Sequence, residues 1–274
     1  MKRYSLGIIG CGNMAKAILR ALDSETVVYL MKQNGIRISL SVSDTDNEKF
    51  DDIDCRRITT YTDNSELVAA SDIVLLAVKP QAAQTALDGI DFGDKIVMSI
   101  MAGVNLKRLK SMISGAVNKF VRVMPNLNAR YGCSVNAYCC DGLSEEEEEV
   151  VLNILGAFGR AYKVDECFMN SVTGISGSGP AFCFMFIDAF IQKAVSCGFG
   201  REVSKELVLD TLYGCLENVR NYDGDISELV DSVCSKGGTT IEGVNYLKKA
   251  DFENAVKQAI TKSEKRSEEL EKNI

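Results

Sequence analysis

The sequence predicts an α/β N-terminal doubly wound sheet followed by an all-α C-terminal domain. Short, nearly continuous apolar runs recur through the first half, separated by helix-length segments. That is the pattern of a parallel sheet covered on both faces. Each run stops at turn residues, where ligands bind in open α/β sheets. From Ser144 onward the spacing is helical throughout. The 274 residues allow one large domain or two modest ones, at roughly 100–200 residues each.

Leu6–Ile9 is the first run and ends in Gly10-Cys11-Gly12; a helix over about Met14–Leu22 follows. Ile38–Ser43 ends in Asp44-Thr45-Asp46, and Ile73–Val78 stops at Lys79-Pro80. Lys95–Met101 ends in Ala102-Gly103, Phe120–Met124 ends in Pro125-Asn126, and Val135–Cys139 is a sixth strand. Ser144 and Glu147 have capping-box spacing, so the acidic run Glu145–Glu149 is read as the first turn of a helix. Phe182–Ala194 is apolar almost all round, which predicts a buried helix. Val203–Val219, Ile226–Cys234, Ile241–Leu247 and Phe252–Leu270 complete the helices, the last ending in a charged, fraying tail. The expected domains are 1–164 and 165–274.

Composition excludes whole classes of chemistry. No histidine is present, which removes Ser-His-Asp and Cys-His nucleophiles, His-ligated zinc and imidazole bases. A formal charge of −7 argues against nucleic acid as the main partner. The ten cysteines include no C-x-x-C pair. Disulfides would fit the count, but buried free thiols in a reducing cytoplasm are the simpler reading. Met1-Lys2-Arg3-Tyr4-Ser5 leads straight into a strand without a signal-peptide pattern, and no long uncharged apolar stretch suggests a membrane span.

Gly10-x-Gly12-x-x-Ala15 follows the first strand and opens the first helix. Gly10 permits the tight turn, Gly12 lets a pyrophosphate approach, and Ala15 allows close helix–strand packing. The anion meets the free N–H groups and positive end of the helix. This makes the sheet Rossmann-type, with Gly10, Gly12, Asn13, Met14 and Ala15 as cofactor candidates. Asp44 lies where the adenine ribose belongs. It favours NAD electrostatically, while Ser43 and Thr45 could donate to the 2′-phosphate of NADP, and a solvated turn acid also fits. Ala77, Val78, Lys79, Pro80, Ala102 and Gly103 line the nicotinamide half. Lys79 is either catalytic or a positioning group before a turn proline.

Two glycine-rich segments lie in the helical half. Gly174–Ala181 either allows helix crowding or lines a site, with Ser178 as its substrate candidate. Ser235-Lys236-Gly237-Gly238-Thr239-Thr240 feeds a helix N-terminus, which suits a substrate carboxylate. A simple capped turn is the competing reading.

Together these segments resemble the pyrroline-5-carboxylate reductase family. The likeness is carried by Gly7–Ala15, Ala77–Pro80, Ser99 with Ala102-Gly103-Val104, Arg122–Asn126, Thr173–Ala181 and, most specifically, Asp231–Gly243. It runs from Leu6 to about Leu270 with the motifs in family order. The resemblance implies reduction of 1-pyrroline-5-carboxylate to L-proline by NADPH or NADH, the last step of proline biosynthesis. It implies a small-molecule imine substrate and a C-terminal dimerisation domain, giving a homodimer that in some members builds a pentamer of dimers. It places Ser43 and Asn64 near the adenosine. It places Ser235, Gly237, Gly238, Thr239 and Thr240 at the substrate carboxylate and ring nitrogen. Leu127-Asn128, Lys236 and Ile226 depart from the usual pattern, and the first departure bears on the nicotinamide pocket.

Hydride attack on a protonated imine generates no anion, so the lack of histidine is compatible with this reaction. Positioning alone can supply roughly 7–11 kcal/mol. Thr240 is the catalytic candidate, as a positioning hydroxyl for the ring nitrogen. Competing readings are a reductase of a related cyclic imine, a β-hydroxy-acid dehydrogenase using Lys193, and a non-catalytic dinucleotide sensor.

Overall fold

In the computed structural model, which describes every residue except Cys55 and Ile274, the strands join one sheet. They are β1 (Lys2–Ile9), β2 (Ile36–Ser43), β3 (Ile58–Tyr61), β4 (Ile73–Leu76), β5 (Ile96–Ser99), β6 (Lys119–Met124), β7 (Ser134–Asp141) and β8 (Gly159–Lys163). Their order is β3-β2-β1-β4-β5-β6-β7-β8. Neighbours from β3 to β6 are parallel. The order reverses between β1 and β4, and a ligand crevice belongs outside the strand ends at such a point.

Alternation along the strands builds two cores. Leu6, Ile8, Ile73 and Leu75 face one layer, while Ile9, Val74 and Leu76 face the other. The first layer includes α1 (Asn13–Leu22), α2 (Glu25–Gln33) and α6 (Glu145–Ala157). The second includes α3 (Asn64–Ala69), α4 (Pro80–Leu87) and α5 (Leu106–Met112). Ser144 caps α6 with the reciprocal Glu147 bond expected from its spacing.

Three strand features depart from expectation. β3 reads Ile-Thr-Thr-Tyr, too short and polar to register as an apolar run. β8 falls after the start of the supposed all-helical half. β7 runs antiparallel to β6. The short link between β6 and β7 holds only a 3-10 turn, Leu127–Tyr131. A parallel crossover needs about a dozen residues or more.

The remaining helices are α7 (Met169–Val172), α8 (Gly179–Ser196), α9 (Arg201–Arg220), α10 (Ile226–Ser232), α11 (Thr239–Lys249) and α12 (Phe252–Asn273). A π-helical turn, Thr173–Gly177, precedes α8. By contacts the chain forms two compact units, 1–178 with 262–274, and 179–261. The first change of unit falls at Gly179, after the expected 164/165 boundary, and the second divides α12.

α8 corrects the expectation of a buried helix, because none of its residues is buried. Phe184, Met185 and Phe190 are exposed. Hydropathy identified an apolar helix, but its side chains are exposed or half-buried. The run 166–196 is also long and apolar enough, by length and composition, to cross a membrane. Asn, Ser and Gly interrupt it, so a search for uninterrupted apolar residues passes over it. The expectation of buried thiols holds only in part. Among the described cysteines all are free, Cys11 and Cys139 are buried, and Cys133, Cys167, Cys183, Cys197 and Cys215 are exposed. Cys55 lies outside the described residues.

The C-terminal segment is helical and anchored through Glu271. α12 continues to Asn273. The Glu271 carboxylate accepts from Asn105 at 2.7 Å, Asn170 at 3.0 Å and Arg122 at 3.3 Å.

Candidate functional site

The carboxyl edge of the sheet builds the first half of the site. Gly10 has φ +97°, and a Cβ there would lie 3.0 Å from the Ala77 carbonyl oxygen. Both the left-handed turn and the close approach of β4's continuation therefore require glycine. The Gly10 N–H donates to the Ser43 carbonyl at 2.8 Å, tying the turn to β2. Gly12 then caps α1 in extended conformation without a side-chain bond, and α1 has no acid in its first turn. A Cβ on Gly12 would meet nothing within 4 Å. The opening N–H groups at Asn13, Met14 and Ala15 have no intrahelical acceptor. This turn fits a pyrophosphate: open space, unpaired donors and an uncompensated positive helix end.

Register sets the neighbours of this turn. Ile9 pairs with Ser43 on one side and Leu76 on the other, and Leu76 pairs with Ser99. The segments that follow are thus brought along one edge. Ala77 donates its N–H to Ile9 at 2.9 Å. Lys79 caps α4 with its backbone, Pro80 opens that helix, and the Lys79 side chain is in no ion pair among the described residues. Gly103 takes φ +74° beyond β5, beside exposed Ala102.

The adenosine end differs from the sequence reading. Ser43 is fully buried, and its hydroxyl donates to Asn64 Oδ1 at 2.6 Å. Asn64 in turn donates to the Ala86 carbonyl at 2.9 Å. The Ser43 proton is therefore engaged with protein and is not offered to a phosphate. Asp44 braces the glycine turn: Oδ2 accepts the Cys11 N–H at 2.9 Å and Lys49 Nζ at 3.0 Å. Oδ1 accepts the Asp46 N–H at 3.1 Å and Lys49 Nζ at 2.9 Å. Burial pushes the Asp44 carboxyl up, but the Cys11 N–H, Lys49 and the Asp46 N–H outweigh it and hold it below the usual carboxylate range.

Beyond β6, Asn126 is 5% exposed and donates to the Ser176 carbonyl at 3.1 Å. It thereby joins the sheet edge to the π-helical turn that leads to Ser178, whose own N–H donates to Thr173 at 2.9 Å. One group here escaped the sequence reading. Arg122, 2% exposed in β6, pairs with Glu166 and Glu271, each at 3.3 Å. Glu166 also accepts the Leu106 N–H at 2.6 Å. The available signal was a charge inside an otherwise apolar strand, since buried charges need partners.

The second unit carries the other candidates together. Gly237 takes φ +73°, and the Gly238 N–H donates to Ser235 at 3.0 Å. A Cβ on Gly238 would sit 2.2 Å from the rotatable Ser235 Oγ and 3.2 Å from the Ser235 carbonyl oxygen, so the turn is tight there, while the positive φ of Gly237 is what calls for glycine. Gly238 caps α11 without a side-chain bond, leaving Thr239 and Thr240 as its first two residues. Their N–H groups and hydroxyls stand at an uncapped helix start, with Glu242 the only acid in that turn. Lys193, the residue of the dehydrogenase alternative, is exposed on α8. Among the described residues no cluster of metal ligands is present.

Two family models match this chain. Residues 166–270 match a pyrroline-5-carboxylate reductase dimerisation model, and residues 5–103 match an NADP oxidoreductase, coenzyme F420-dependent model. The Aquifex aeolicus pyrroline-5-carboxylate reductase is 36% identical over 97% of this chain and 97% of its own length. The chain belongs to the pyrroline-5-carboxylate reductase family. Its fold agrees with solved relatives. A Plasmodium falciparum pyrroline carboxylate reductase with NADP bound superposes with TM-score 0.84 at 30% identity, covering 98% of each chain. A Streptococcus pyogenes 1-pyrroline-5-carboxylate reductase gives TM-score 0.86 at 28% identity, covering 97% of this chain and 99% of that one. In this reductase family member the apolar 166–196 run lies in the segment matched by the dimerisation model.

Proposed function

We propose that the chain reduces 1-pyrroline-5-carboxylate to L-proline with NADPH or NADH. The observation that carries this is one chain holding the Gly10–Ala15 turn at a sheet switch point and the Ser235–Thr240 loop within the matched 166–270 segment. The likeness to curated relatives, which spans nearly the whole chain, supports the same activity.

In this reading Gly10, Gly12, Asn13, Met14 and Ala15 hold the pyrophosphate. Ala77, Val78, Lys79, Pro80, Ala102 and Gly103 line the nicotinamide side. Ser43 and Asn64 shape the wall beneath the adenosine through their mutual hydrogen bond. The nicotinamide, when bound, supplies a hydride to the imine carbon. Ser235, Gly237, Gly238, Thr239 and Thr240 take the substrate carboxylate and orient the ring, and Ser178 lines the substrate side. A carboxylate suits the start of α11 because unpaired N–H groups and the helix dipole favour an anion. The Thr240 hydroxyl positions the ring nitrogen and moves no proton.

The chain works as a homo-oligomer. The dimerisation model and the uncovered apolar residues of α8 support this, and the family resemblance extends it to a dimer or a pentamer of dimers. The same resemblance supports treating 165–274 as the substrate and dimerisation domain. Free thiols on the described residues support a reducing cytoplasm.

The test measures NADH and NADPH oxidation with 1-pyrroline-5-carboxylate beside a six-membered cyclic imine. Faster turnover of the five-membered ring is expected, and turnover of the six-membered ring alone would replace the substrate. Thr240→Ala should lower kcat/KM by about tenfold, the worth of roughly one hydrogen bond to a charged group. Unchanged kinetics would remove Thr240 from the mechanism.

A further inference from the structure

We propose that this chain binds NADH in preference to NADPH, because the segment after β2 presents unpaired acids and no unpaired cation to a 2′-phosphate. This rests on the reading that the β1 and β2 edge holds a dinucleotide. The adenine ribose of such a cofactor lies beyond the second strand, where an acid selects NAD or a nearby arginine accepts the NADP phosphate.

Asp44 is the acid in that position, yet its lone pairs are spent. An ionised carboxylate has about four acceptor sites. Here they take the Cys11 N–H, the Asp46 N–H and two contacts from Lys49. Asp44 therefore holds the turn rather than the ribose, and discrimination has to come from charge.

Among the described residues the cations beside the segment after β2 each have an acid in ion-pair reach, Lys16 and Arg20 sharing one, and Lys79, which has none, lies beyond β4. Lys49 pairs with Asp44, Lys16 and Arg20 with Asp52, Arg56 with Asp54, and Arg57 with Asp23. Three exposed acids of the same segment, Asp46, Glu48 and Asp51, have no ion pair among the described residues. The Ser43 hydroxyl at the strand end is buried and bonded to Asn64, and the exposed Thr45 offers only a neutral hydroxyl. A 2′-phosphate of about −2 charge would thus meet an excess of acids over cations. A ribose 2′-hydroxyl would not be repelled by it.

The experiment titrates the whole protein with NADH and with NADPH, following nicotinamide fluorescence without substrate. At low salt NADH should bind about tenfold more tightly. The gap should narrow as salt rises, since the screening length falls from about 10 Å at 0.1 M to about 3 Å at 1 M. The combined variant Asp46→Asn, Glu48→Gln, Asp51→Asn should tighten NADPH more than NADH, whose pyrophosphate feels the same charges from further away, and so narrow the gap. Asparagine keeps the Asp46 cap on the Glu48 N–H, so the turn is preserved. Equal or tighter NADPH binding by the unaltered protein overturns the proposal, as does a gap indifferent to salt or to the variant. Absence of binding by either nucleotide overturns the dinucleotide reading with it. Tight, ranked binding without pyrroline reduction supports the preference and overturns only the proposed activity.

Discussion

Asp44 ties three pieces of the first unit together: the turn after β1, the end of β2 and Lys49. An unpaired Cys11 N–H beside a lost carboxylate would let the glycine turn relax, and that turn serves either nucleotide. Asp44→Ala should weaken NADH binding about tenfold through the loosened turn, and NADPH binding by less because Lys49 is then left without its acid, measured by fluorescence titration. A ribose ligand would instead cost NADH alone. The carboxyl is held below its unfolded value, so its contribution is present above that value and is lost as pH falls through the folded one. Nucleotide affinity of the unaltered protein should therefore drop only on the acid side of the ordinary carboxylate range, and the variant should lack that component of the acid limb. At this scale the sequence was legible where chemistry is local. Gly10 and Gly237 are required by positive φ, and such glycines announce themselves beside strands and helix starts. The partners of Asp44 and Ser43 were not legible, because Lys49 and Asn64 meet them through loop geometry and across strands.

Arg122 shows the same limit for elements. Its guanidinium joins β6 to Glu166 and to Glu271 near the end of α12, residues 44 and 149 positions away. Removing one partner of a buried pair costs about 3–5 kcal/mol, at the lower end here because both carboxylates are partly exposed. Arg122→Leu should therefore lower the thermal midpoint by several degrees, read by calorimetry, while Glu271→Gln, which keeps the Asn105 and Asn170 region polar, should cost less. An unchanged midpoint for Arg122→Leu would show the network to be dispensable. Helix α6 is the opposite case. Its capping box lies within four consecutive residues, and the sequence spacing anticipated it. β3 and β8 were missed because neither is an apolar run, and the sheet supplies their pairing.

For the whole molecule, the decisive feature is α8, apolar almost all round and without a buried residue. Met185 is 73% exposed there. If a second copy covers it, Met185→Glu buries an unpaired charge in the assembly and none in the single chain. The variant should sediment as a smaller species with an unchanged far-UV spectrum; unaltered sedimentation would place the interface elsewhere. Periodicity, strand-end turns and glycine spacing, all local, determined the α/β class, the dinucleotide turn and the family resemblance. Only the tertiary structure decided the direction of β7, the capture of Asp44 by Cys11 and Lys49, the anchoring of Glu271 and the exposure of α8. Those depend on which distant groups share space. Hydropathy states how much a side chain gains by leaving water, and only packing states whether anything of the same chain is there to receive it.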